Sequence, residues 1–157
     1  MHFALYHLTL ILTMAEAYDL ERFITAQSRN YRDALSEIRR GRKTSHWMWY
    51  VFPQLSGLGY SETAKFYGIK NAEEAQAYYE HPVLGSRLIE ISGVLLDIKG
   101  KTAYQIFGSP DDLKLKSSMT LFNALTNADP VFAEVLDQYF ADEKDDNTLT
   151  LLQSMNQ

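Results

Sequence analysis

Leu20, Phe23, Ile24, Gln27, Tyr31, Ala34, Leu35 and Ile38 recur at helical spacing and fall within an arc of roughly 120°. Arg22, Arg29, Arg32, Asp33, Ser36 and Arg40 occupy the other side. The pattern predicts one long amphipathic helix over residues 20–40, with Asp19 as its cap and Gly41 as a left-handed stop. Ser45 to Phe52 is almost continuously apolar, and both a short buried helix and a strand fit so brief a run. Pro53 turns Phe52 away from helical geometry, and Leu55-Ser56-Gly57-Leu58-Gly59 reads as a loop.

Shorter helical signals follow. Ser61 opens a helix that Gly68 ends, and Asn71 with Glu74 has the form of a capping box. Pro82 suits the first position of a helix whose stripe is Leu84, Leu88, Ile91, Leu95 and Ile98, closed by Gly100. Thr102 to Phe107 is a short helix stopped by Gly108. Ser109-Pro110-Asp111-Asp112 then combines a cap, a proline and first-turn acids ahead of Leu115, Met119, Phe122 and Leu125. Asp129-Pro130 repeats the signal before Val131, Phe132, Val135, Leu136 and Phe140. A charged loop from Asp142 to Asn147 leads to a last helix carrying Leu149, Leu151 and Leu152. Nothing alternates like a strand and nothing repeats, so the expectation is all-α: a single compact domain of seven or eight mostly short helices.

A chain of 157 residues can bury a core of its own as one domain. It has no cysteine, which removes disulfides, thiolate metal sites and cysteine nucleophiles and fits a reducing, cytoplasmic setting. No run reaches the roughly 20 apolar residues that a membrane span needs. The apolar stretch Phe3–Leu12 is broken by His7 and Thr9, and no Lys or Arg precedes it, although Ala15-Glu16-Ala17 resembles a cleavage site. The favoured reading is that residues 1–13 are an N-terminal extension upstream of a true start at Met14, and residues 14–157 form the domain. A signal peptide and a genuine added element are the alternatives.

The net charge of -5 gives the basic cluster Arg39-Arg40-Gly41-Arg42-Lys43 its meaning. An acidic chain without a basic tail is a poor partner for nucleic acid, so no sequence-specific binding is expected and a small anion is the better match. Arg42 offers a bidentate fork for phosphate or carboxylate and Lys43 a point charge. His46 has the right chemistry for a general acid or base, and Trp47 or Trp49 could stack on a flat ring. A second polar group, Lys116, Ser117 and Ser118 with Lys114 and Thr120, could share that ligand. Each of these has a plainer explanation. Cations beyond a helix end complement its dipole, tryptophans fill cores, and helical serines bond back to the preceding turn. No histidine cluster, glycine-rich phosphate loop or dinucleotide fingerprint is present, so neither a metal nor a cofactor is implied.

The blocks Gly41-Arg42-Lys43-Thr44-Ser45-His46-Trp47-Met48-Trp49, Phe52-Pro53-Gln54 and Gly57-Leu58-Gly59 resemble the family known as domain of unknown function 1810. Its pattern continues through His81-Pro82-Val83-Leu84-Gly85, Phe107-Gly108-Ser109-Pro110-Asp111-Asp112, Lys114 to Phe122, and Asp146 with Thr148-Leu149. The resemblance covers roughly residues 18–152, leaves residues 1–13 outside, and implies a mainly helical fold without assigning an activity. A fold-level analogy with helical proteins that process ADP-ribose-linked compounds brings no motif with it. Two functions are expected from these residues. One is a pocket for a small anionic, partly aromatic compound such as a nucleotide derivative, with hydrolase or transferase chemistry if His46 moves protons. The other is a non-catalytic interaction module that uses the aromatic surface, and it leaves a homo-oligomer open.

Overall fold

The computed structural model describes residues 4–9 and 18–156. Among them are ten helices. The first, α1, covers residues 4–9, all of them exposed. Then come α2 (Glu21–Arg39), α3 (Met48–Val51), α4 (Glu62–Tyr67), α5 (Ala72–Glu80), α6 (Leu84–Asp97), α7 (Ala103–Phe107), α8 (Asp111–Asn123), α9 (Pro130–Phe140) and α10 (Asp146–Met155). The expected count of seven or eight is thus too low. Two helices account for the excess: the single turn α3, too short for periodicity to reveal, and α1, within a stretch set aside as an extension. The only β pairing among the described residues is an isolated parallel bridge between Leu55 and Ile69.

The helices α6 and α8 organise the packing. Helix α6 lies against α2, α5 and α9, and α8 against α5, α7, α9 and α10. Every residue from Ser117 to Phe122 is buried, so α8 is covered nearly all round and not only along its predicted stripe. Aromatic rings knit the centre: Tyr78 packs edge-on to Phe23 at 5.0 Å, and Phe122 sits 5.4 Å from Tyr78.

Several ends form as their residues dictate. Gly41 takes φ +75°, its N–H donates to the Ile38 carbonyl and that of Arg42 to the Glu37 carbonyl, which closes α2 in a Schellman motif. Ser61, Asn71, Asp129 and Asp145 accept backbone N–H groups at the starts of α4, α5, α9 and α10, and Thr102 with Gln105 completes a capping box on α7.

Other ends differ. Leu20, not Asp19, stands at the cap position of α2, and α2 is kinked at Asn30. Pro82 precedes α6, and the His81 Nδ1 receives the N–H groups of Val83 and Leu84 at 3.1 and 3.3 Å. Pro110 is the cap residue of α8 rather than its first helical residue. Glu74 does not reach back to Asn71. It is buried and paired with Arg22, whose guanidinium also donates to the carbonyls of Tyr18, Asp19, Phe66 and Gly68. Arg22 therefore belongs to the interior, where its guanidinium carbon lies 4.2 Å from the centroid of the Phe23 ring. A buried pair of this kind is tolerated because every charged edge has a partner.

Candidate ligand-binding site

The loop between α2 and α3 is built around a carboxylate. Glu37 is buried in the last turn of α2, and its Oε1 accepts the backbone N–H groups of Thr44 (2.6 Å) and Ser45 (2.9 Å) and the Trp47 indole N–H (3.1 Å). Its Oε2 accepts the Ser45 hydroxyl at 2.5 Å. Burial alone would raise its pKa. The hydroxyl, the two amides and the indole outweigh that and bring it down to about 2. A negative side chain at a helix C-terminus opposes the dipole, so the periodicity of α2 gives no hint of this role.

This anchoring fixes the fate of each predicted residue. The run 48–51 is a helix, with Trp47 at its cap position, and the two tryptophans go to different surroundings. Trp47 is 0% exposed, packed on Phe52 and Phe107, and cannot face a ligand. Trp49 is half-buried, with the Lys114 Nζ 4.9 Å from its ring centroid. His46 is exposed and uses only its carbonyl, which accepts the Tyr50 hydroxyl at 3.3 Å. Lys43 is drawn inward: its Nζ lies 2.9 Å from Asp111 Oδ2, and its side chain is 7% exposed. Lys114 takes the other oxygen of Asp111 at 3.6 Å, so one carboxylate serves two lysines.

The second polar group divides in a similar way. Lys116 pairs with Glu143 at 2.9 Å. The Ser117 hydroxyl donates to the Leu113 carbonyl one turn back, at 3.1 Å. Ser118 is fully buried and its hydroxyl has no hydrogen-bond partner among the described residues. It faces the core rather than any groove.

Two of the surface grooves take in predicted site residues. The larger, about 670 Å³, is lined by Arg42, Lys43, Gly100, Lys101, Tyr104 and Gln105 and floored by Ile106 and Phe107. Arg42 is exposed and its guanidinium has no partner among the described residues; Lys101 donates only to the Gly41 carbonyl, at 3.0 Å. Tyr104 is 63% exposed. The other groove, about 430 Å³, runs between the 54–61 loop, the first turns of α8 and the start of α10. It collects Gln54, Leu58 and Tyr60 from the first, Lys114 and Ser117 from the second, and Asp145 and Asn147 from the third. His46 lines neither groove. Lys101 and Tyr104 were not singled out by the sequence reading. Only their position across the groove from Arg42 marks them, and that position comes from the packing of α7.

A family model described as DUF1810, protein of unknown function, matches residues 17–152. The chain belongs to this family. A crystal structure of the conserved hypothetical protein Rv1873 from Mycobacterium tuberculosis is similar to it, with 50% sequence identity and a TM-score of 0.86. The match covers 87% of this chain and 98% of that one. No curated protein matches it. Among the described residues no group of His, Asp and Glu could hold a metal ion, and no helix is long and apolar enough to cross a membrane.

Proposed function

We propose that this DUF1810 chain binds a small anionic, partly aromatic ligand of the nucleotide-derivative class in the groove of Arg42, Lys101 and Tyr104. The observation that carries the reading is charge without compensation. Arg42 and Lys101 reach one groove with no acidic partner among the described residues, in a chain whose net charge is -5. Arg42 supplies the fork for phosphate or carboxylate, Lys101 the second cation, and the exposed Tyr104 a ring on which a base can stack. Lys43 contributes field rather than contact, because Asp111 already holds it. Trp47, Trp49, Lys116 and Ser118 are left out of this site by their burial or their partners. The groove volume falls within the range of about 300–1,000 Å³ usual for small-ligand sites.

The reading is one of binding. His46 lies outside the groove, so no hydrolase or transferase step is assigned to it. An interaction module built on the tryptophans gains no support, since Trp47 is buried and Trp49 lies under Lys114.

The test is a thermal-shift screen of the full chain against nucleotides, ADP-ribose, sugar phosphates and nicotinamide compounds. A ligand at a hundred times its Kd adds about 2.7 kcal/mol, a shift of several degrees for a domain of this size. Arg42→Ala and Tyr104→Ala should abolish the shift while leaving the Tm of the free protein unchanged, because both side chains are exposed. A shift that survives in both variants would place the ligand elsewhere, and no shift from any compound would remove the reading.

A further inference from the structure

We infer that the second groove, over Gln54, Tyr60 and Ser117, is a separate binding site for a neutral, hydroxyl-rich ring, a monosaccharide or the glycosyl part of a larger compound. Its backbone is held in place while part of its polar lining stays open to a ligand. The Gln54 carbonyl accepts the Ile69 N–H at 2.9 Å, and the Ser56 N–H donates to the Ile69 carbonyl at 2.8 Å, so the backbone beneath Gln54 is pinned. Among the described residues no hydrogen bond engages the side-chain amide of Gln54 or that of Asn147, both of which line the groove. Ser117 spends its proton on the Leu113 carbonyl, which leaves its oxygen able to accept. Asp145 uses Oδ2 to cap Thr148, which leaves Oδ1 to accept.

Such a set can both donate to and accept from several hydroxyls at once. It does not suit an anion. The one cation present, Lys114, is already shared between Asp111 and the Trp49 ring, and Asp145 adds negative charge. Tyr60 supplies the remaining element. It is 87% exposed at the groove, makes no ring contact among the described residues, and follows Gly59, where a Cβ would stand only 2.7 Å from the Ala64 Cβ. The loop is thereby held close to α4, with the phenol ring standing clear as a platform for the C–H face of a sugar. The cavity of about 430 Å³ accommodates one such ring.

The experiment is saturation-transfer NMR on the full chain with free ribose and the methyl glycosides of glucose, galactose and mannose, each at about 10 mM to reach weak affinities. Ring C–H signals from at least one sugar are expected. They should fall roughly fivefold in Tyr60→Ala and in Gln54→Ala, and stay unchanged in Arg42→Ala. Tyr60 is solvent-exposed, so the melting temperature of its variant serves as the folding control. Absence of signal from every sugar would overturn the inference. So would signals that persist in Tyr60→Ala or disappear in Arg42→Ala, which would move the sugar to the other groove.

Discussion

The Trp47 indole donates to Glu37 Oε1 at 3.1 Å, joining the cap residue of α3 to a carboxylate in the last turn of α2. The same carboxylate holds Thr44 and Ser45, so four donors between α2 and α3 converge on one side chain. Glu37→Ala leaves a buried indole N–H and two amides without acceptors. It should cost about 3 kcal/mol in urea unfolding. Glu37→Gln keeps a carbonyl acceptor and should lose less.

The acid limb of stability follows from the same group. Folding lowers the Glu37 pKa from 4.5 to about 2, so its contribution is fully present above pH 4.5 and is lost as pH falls toward 2. Melting temperatures measured across that window should drop in the native chain. In Glu37→Gln the drop should be visibly shallower, and equal slopes would mean that other carboxylates dominate.

Ser118 makes the opposite kind of prediction. Its hydroxyl is desolvated in the core without a partner, so Ser118→Ala removes a cost rather than a contact. The variant should gain about 1 kcal/mol, seen as a higher urea midpoint at unchanged m-value. A loss of stability would mean that an ordered water satisfies the hydroxyl.

Gly85 has no such latitude. A Cβ built there would lie 1.9 Å from the Tyr79 carbonyl oxygen, a backbone atom that cannot swing away. Gly85→Ala should therefore force the start of α6 off α5 and cost about 3 kcal/mol by thermal or urea denaturation. Gly93→Ala, in the middle of α6 with open space beside it, should instead be neutral or stabilising by up to about 1 kcal/mol.

The all-helical fold was legible because its caps and stops are local: Ser61, Asn71, Asp129, Gly41 and Gly108 act on residues a few positions away. The partial legibility of the site has the same origin. Arg42 stood out as a cation against an acidic background, and its exposure in a groove follows from the Schellman turn beside it. Arg22 and Glu74 were misjudged because helical periodicity cannot separate a solvated charge from one whose partner arrives fifty residues later. Trp47 was equally ambiguous until the helical geometry of residues 48–51 sent it inward and left Trp49 near the surface. Lys101 and Tyr104 carried no signal at all, since their meaning depends on where α7 is laid down.

Asp111 stands between the two grooves, with one oxygen toward Lys43 at the wall of the first and the other toward Lys114 at the wall of the second. A single counter-ion divided in this way makes each lysine's availability a function of the other's. A charge placed in the first groove would act on Lys43 through its field, and because Asp111 is shared, its hold on Lys114 would change with it although no helix moves. Linkage requires that any such effect be mutual, so each ligand would alter the other's affinity by one common factor. Titrating either ligand in the presence of the other measures that factor, and Asp111→Asn, which removes the shared charge, should bring it to one.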